Sequence, residues 1–207
     1  NLSKKPLLMG ILNLTPDSFS DGGKYNKKKN GINHAKKLIS DGCDIIDIGG
    51  ESTRPNSKTV NKNIEWNRIY PTISKLHKLK KFISLDTRKS EIMKKGLKYR
   101  VNLINDVSGL DYDASTIDFI KKNKCPFVIN HIQGSPKNMQ KNPKYKNVLL
   151  DVYDYFENKI STIRKKGIKH NNILIDPGIG FGKNLKHNIT LISKISIFHS
   201  LGFPILI

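Results

Sequence analysis

Two cysteines, Cys43 and Cys125, are all the chain has in 207 residues, and two thiols make no disulfide framework. Each is read as a buried free thiol. No stretch of eighteen apolar residues occurs, so no segment reads as a membrane span. The first nine residues are basic and then apolar, without the long apolar core or small-residue cleavage site of an export signal. The expected location is therefore the cytoplasm. An initiator methionine is also lacking, since the chain starts at Asn1. Acidic residues number 17 against 37 basic ones, a formal net charge of +20. Nucleic acid would explain such an excess if the charge were clustered. Arginine supplies only 5 of the 37, and the 32 lysines are spread from Lys4 to Lys194. Lys, Asn and Ile together make up 81 of the 207 residues, and all three use AT-rich codons, so base composition is the simplest cause. The charge is read as a solvated surface, with neither nucleic acid nor membrane as a partner.

What is present suits one globular domain over residues 1–207, with 37% hydrophobic and 26% charged residues. Short apolar runs occupy residues 7–12, 44–48, 82–85, 101–104, 127–129, 173–175 and 204–207. They are rich in β-branched residues and three to six long, the pattern of buried parallel strands. Helical patterns lie between them. Ile32, Ala35, Leu38 and Ile39 mark one face, followed by Gly42; Ile64, Ile69, Ile73 and Leu76 mark a second. Val148, Val152, Tyr155, Phe156, Ile160 and Ile163 mark a long helix ended by Gly167, and Ile189, Ile192 and Ile195 another ended by Gly202. Shorter helical intervals cover residues 89–97 and 114–122. These stripes are read as core.

Strand and helix alternate, which gives a parallel α/β fold. A doubly wound sheet and a (β/α)8 barrel both fit that order. The strand exits favour the barrel. Six strands run straight into polar residues, at Asn13, Gly49–Glu51, Asp86, Asn105–Asp106, His131 and Asp176. In an open sheet only strands near the switch point would do so, whereas in a barrel all carboxyl ends share one mouth. Seven of eight units are counted.

Asn13 at the first strand tip offers a carbonyl oxygen suited to a hard cation such as Mg²⁺; the plainer alternative is an Asx-turn. Ser52, Thr53 and Arg54, after Gly49-Gly50-Glu51, supply donors for an anion; the alternative is a surface loop. Asp86, Asn105 and Asp176 suit a flat heterocycle with N–H and amino donors. Singly, each is as apt to cap the next helix. Gly182-Lys183 is a weak phosphate signal, because Asn184 breaks the Walker A spacing.

Met9-Gly10-Ile11-Leu12-Asn13-Leu14-Thr15-Pro16-Asp17-Ser18-Phe19-Ser20-Asp21-Gly22-Gly23 resembles the first motif of the dihydropteroate synthases. Asp47-Ile48-Gly49-Gly50-Glu51-Ser52-Thr53-Arg54-Pro55 resembles the second. Ser84-Leu85-Asp86-Thr87, Ile104-Asn105-Asp106-Val107, His131-Ile132-Gln133-Gly134 and Asp176-Pro177-Gly178-Ile179-Gly180-Phe181-Gly182-Lys183 follow in the family's order. The resemblance implies a (β/α)8 barrel that joins 6-hydroxymethyl-7,8-dihydropterin pyrophosphate to 4-aminobenzoate, as a homodimer using Mg²⁺. It implies that Asp86 is catalytic, holding the pterin ring and stabilising a cation-like pterin methylene. Asn105 and Asp176 would read the pterin's donor edge. Thr53 would bind the pyrophosphate substrate, Ser52 and Arg54 would order the aminobenzoate site, and Phe181 would line it. Asn13 would ligate Mg²⁺.

The sequence departs from the family in two ways. A serine-arginine-lysine motif and an arginine-x-histidine motif, which the family places after the seventh and eighth strands, are not found before Ile207. The 207 residues alone are therefore expected to be a C-terminally truncated barrel, cut at both ends and inactive by themselves. Asn130 also stands where an apolar residue is usual. The alternatives are another pterin-binding barrel, such as a methyltetrahydrofolate methyltransferase, or an inactive remnant; the first would not need the long first loop or Glu51-Ser52-Thr53-Arg54-Pro55.

Overall fold

The computed structural model describes residues 5–15, 27–54 and 57–207, and for residues 27–30 the backbone alone. Expectations placed on residues 16–23 of the first loop, on Pro55 and on Asn1 lie outside the described residues. Strands and helices alternate: β1 (Met9–Asn13), α1 (Lys27–Ser40), β2 (Ile45–Gly49), α2 (Lys62–Leu76), β3 (Phe82–Asp86), α3 (Ser90–Leu97), β4 (Leu103–Asp106), α4 (Thr116–Asn123), β5 (Phe127–Asn130), α5 (Val148–Lys165), β6 (Ile173–Asp176) and α6 (Leu185–Ser193). Short 3-10 turns follow α2, precede β6 and follow α6. The alternation expected from the apolar runs is thus present, in an α/β fold.

The chain forms two compact units, Asn1–Ser52 with Thr59–Ile104, and Thr53–Lys58 with Asn105–Ile207. In the first, β1 pairs with β2 and β2 with β3, both parallel. In the second, β5 pairs in parallel with β6. β2 to β5 are buried along most of their length, as parallel strands covered on both faces must be. β1 differs, with Ile11 63% exposed.

Several strands run further than their apolar residues suggested. Asn13, Asp86, Asp106, Asn130 and Asp176 are last residues of strands, not first residues of loops. Their backbones are held in the strand, so their side chains take directions set by the pleat. The expected seventh strand is a single parallel bridge, Ile175 with Ile205, closed by bonds from the Ile175 N–H to the Pro204 oxygen at 3.0 Å and from the Leu206 N–H to the Ile175 oxygen at 2.9 Å.

Helix starts are set by asparagine. Asn61 accepts from the Asn63 N–H, Asn147 from the N–H groups of Leu149 and Leu150, and Asn184 forms a reciprocal capping box with His187. Pro71 sits inside α2 and removes one helix bond. The stripes are only partly core. On α5, Val152, Phe156 and Ile163 are fully buried, each contributing roughly 1.5–3 kcal/mol relative to exposure. On α6 only Leu191 is buried, while Leu185, Ile189 and Ile192 are 76%, 58% and 51% exposed. Ile64 of α2 is likewise half exposed, and the buried register belongs to Glu65. Periodicity locates an apolar face; it does not say what covers it. Both cysteines are buried and free as expected, and burial pushes the Cys125 thiol up to about 11. No helix among the described residues is long and apolar enough to cross a membrane.

Candidate active site

In the first unit the strand register aligns Asn13 with Gly49 and Gly49 with Asp86. Asn13 is exposed and Asp86 half-buried. A Cβ built on Gly49 would lie 2.9 Å from Asp86 Oδ2, so glycine leaves the space that the carboxylate occupies.

Glu51, two residues on, is the centre of a buried ionic network. Its Oε2 accepts from Arg88 Nε at 3.0 Å and from Lys89 Nζ at 2.8 Å. Its Oε1 accepts from Arg88 Nη2 at 3.2 Å and from the Val60 N–H at 2.9 Å. Lys89 Nζ also donates to Glu65 Oε2 at 2.5 Å, and the Thr87 hydroxyl donates to Glu65 Oε1 at 2.5 Å. Glu65 is fully buried and Lys89 only 9% exposed. Burial pushes the Glu51 carboxyl up, but the bonds from Arg88, Lys89 and Val60 outweigh it and hold the group below the usual carboxylate range. The network joins the loop that carries Ser52 to the residues following Asp86. Arg68 Nη1 donates to the Gly50 oxygen at 2.8 Å and fastens the same loop to α2.

In the second unit, Thr53 is half-buried and Arg54 exposed. Asn105 is 8% exposed at the penultimate position of β4. Its neighbour Asp106 accepts at Oδ1 from both the N–H and the hydroxyl of Ser108, at 2.8 and 2.6 Å, which is the local turn role. Asn130 and Asp176 are in register at the ends of β5 and β6. The Gly178 N–H donates to Asp176 Oδ1 at 2.7 Å. At φ +68 a Cβ on Gly178 would stand 2.0 Å from the His131 oxygen, so only glycine permits this approach.

The loop after β6 is tied down at almost every turn. Gly180 N–H donates to Asn188 Oδ1, the Tyr145 hydroxyl to the Gly182 oxygen, and the Phe181 N–H to the Gly178 oxygen. Lys183 is 2% exposed and donates to the Gly178, Phe181 and His131 oxygens at 2.9, 3.0 and 3.3 Å and to His131 Nδ1 at 2.9 Å. It is thus a clamp on the segment that presents half-buried Phe181, not a surface phosphate ligand. Burial, reinforced by the Lys183 charge, pushes the His131 imidazole down to about 3, so the ring is neutral and accepts at Nδ1. Burial lowers Lys183 to about 7, with the Asp176 carboxylate opposing the fall.

A pH dependence follows. Between pH 7 and the ordinary lysine value of 10.5, the unfolded chain binds a proton that folded Lys183 does not. Stability from this group therefore rises with pH across that window and is diminished at its lower end. Lys183→Met is expected to flatten the rise. Urea unfolding of both proteins at several pH values measures it, and parallel profiles would contradict the assignment.

The structure thus aligns Asn13 with Asp86 in one unit and Asn130 with Asp176 in the other. Ser52 belongs to the first unit, Thr53, Arg54, Asn105 and Phe181 to the second. Sequence reasoning overlooked Glu65, Lys89 and the clamp role of Lys183. Glu65 left a trace, since it stands four residues before Ile69, in line with the buried face of α2. A carboxylate on an apolar face signals a buried partner.

Residues 9–207 match the family model described as pterin binding enzyme. The dihydropteroate synthase of Escherichia coli K12 is 39% identical over 203 residues, which cover 98% of this chain and 72% of that protein. Among solved structures, the Yersinia pestis dihydropteroate synthase with a sulfonamide drug complex superposes with a TM-score of 0.90 at 39% identity, covering 97% of this chain and 73% of the other. The Xanthomonas albilineans enzyme with 4-aminobenzoic acid also gives 0.90, at 34% identity and coverage of 98% and 72%. The fold class is therefore the α/β barrel expected from the strand exits.

Proposed function

Since this chain belongs to the pterin-binding enzyme family, we propose how its residues divide the work of the family's transfer reaction. The chain is a transferase of folate biosynthesis, matching dihydropteroate synthases over nearly its whole length. The amine of 4-aminobenzoate displaces pyrophosphate from 6-hydroxymethyl-7,8-dihydropterin pyrophosphate, giving 7,8-dihydropteroate. A carbon–oxygen bond breaks, a carbon–nitrogen bond forms and the amine loses a proton.

The observation that carries the assignment of roles is the strand-end carboxylate of Asp86, given room by Gly49 and held on rigid backbone. A fixed negative charge there favours the positive charge that develops on the pterin methylene as pyrophosphate departs. Asp176 and Asn105 read the donor edge of the pterin, the first with a carboxylate already oriented by the Gly178 N–H. Thr53 binds the pyrophosphate substrate. Ser52 and Arg54 order the aminobenzoate site, which Phe181 lines, and the Glu51 network supports Ser52. Residues 1–207 act as one pterin-binding domain.

Among the described residues no group of three or more His, Cys, Asp or Glu is placed to hold a metal. Asn13 is a single, exposed, neutral amide. Such a donor does not hold Mg²⁺ by itself, but it fits an ion that arrives on the pyrophosphate. Mg²⁺ so bound supplies positive charge to the leaving group. Cytoplasmic location accords with pterin and aminobenzoate as small soluble substrates. A homodimer accords with the outward apolar face of Leu185, Ile189 and Ile192 on α6.

The test is pyrophosphate release dependent on 4-aminobenzoate by a chain extended to the full length of its relatives, titrated with Mg²⁺ after chelation. Release is expected to require Mg²⁺, and Asn13→Ala to need more of it at unchanged 4-aminobenzoate KM. Full release without divalent metal, or an unaltered Mg²⁺ titration in the variant, would overturn the role of Asn13.

A further inference from the structure

Asn130 is the last residue of β5 and lies opposite Asp176 in the parallel register. It is 2% exposed, and Val128, two residues earlier on the same face, is fully buried. Its Nδ2 donates to Asp176 Oδ2 at 3.3 Å. Asp176 Oδ1 takes the Gly178 N–H at 2.7 Å, so each carboxylate oxygen has a donor and the plane of the group is set. The orientation of the amide follows, because only its NH₂ end donates to a carboxylate.

That leaves Asn130 Oδ1 buried with no hydrogen-bond partner among the described residues. An unpaired, buried amide oxygen costs stability, and an apolar side chain of the same size would avoid it. A purely structural position would therefore favour the apolar residue. Residues that break a local rule in this way belong at functional sites.

We propose that Asn130 is a positioning residue for pterin recognition, setting the rotation of the Asp176 carboxylate so that it meets the pterin's N–H and amino donors. This rests on the reading of Asp176 as a pterin-binding residue. The 3.3 Å bond is long, and bonds of this kind shorten when the ligand completes the site. Substrate specificity follows from it: a ligand lacking paired donors at that edge gains nothing from the orientation.

The test uses Asn130→Leu and Asn130→Met, which keep the volume and remove both the donor and the unpaired oxygen. Thermal stability is expected to hold or rise. The dissociation constant for 6-hydroxymethylpterin, measured by calorimetry, is expected to rise about tenfold, in line with loss of a hydrogen bond to a charged group. In a chain extended to the full length of its relatives, the KM for 4-aminobenzoate should stay within about twofold, a split that loss of packing alone does not produce. Asp176→Ala should weaken pterin binding further, and adding Asn130→Leu to it should change nothing more. If Asp176→Ala binds the pterin normally, the reading of Asp176 fails and the inference with it. If Asp176→Ala weakens binding but both Asn130 variants bind normally, Asp176 stands and the role of Asn130 is overturned.

Discussion

In a chain extended to the full length of its relatives, Asp86→Ala is expected to lower kcat by about 10²–10³-fold while the protein stays folded. The carboxylate sits at the end of β3 on backbone paired to β2, and Gly49 opposite it leaves the room it fills. Strand backbone does not reorganise during turnover, so the charge is in place before positive charge develops on the substrate. Its contribution is therefore larger in the transition state than in the bound ground state, and the loss falls mainly on kcat. Steady-state kinetics at saturating 4-aminobenzoate, with a melting curve as the folding control, checks it. Turnover within threefold of the parent would show that departure of pyrophosphate does not depend on this carboxylate.

Lys89→Met is expected to destabilise the protein by about 3–5 kcal/mol, because it leaves two buried carboxylates short of their shared cation. Lys89 Nζ lies 2.8 Å from Glu51 and 2.5 Å from Glu65, and Glu65 has no exposure to water. Arg88 still reaches Glu51, but Glu65 retains only the Thr87 hydroxyl among its described hydrogen bonds. Urea unfolding measures the change. The double variant Lys89→Met/Glu65→Gln should recover part of it, because an amide tolerates burial where an unpaired carboxylate does not. A single variant as stable as the parent would mean that water reaches the network.

The part of the fold that was legible in sequence is the part set by local pattern. Alternating apolar runs and stripes gave the order of strands and helices, and α5 stops ahead of Gly167 as its spacing indicated. Strand ends were misplaced by a residue at Asn13, Asp86 and Asp176, because a polar side chain was taken to end a strand when only backbone pairing does so. The stripe on α6 was visible, but its exposure depends on what packs against it, which no single helix encodes. Motif residues at strand exits were proposed from their chemistry. Lys183 was rightly discounted as a phosphate ligand, but its clamp role was not legible, because the carbonyl oxygens and the His131 ring that take its donors meet it only in the folded loop. Lys89 and Glu65 become a pair only once α2 and the residue after β3 meet in space.

The most direct measurement of whether these strand-end residues form the pterin site is a crystal structure of the protein with 6-hydroxymethylpterin bound. The expected result has the ring's amino and N–H donors within hydrogen-bond distance of Asp176 and Asn105, with the Asp86 carboxylate against the ring. A ring seated elsewhere, touching neither Asp86 nor Asp176, would contradict the assignment.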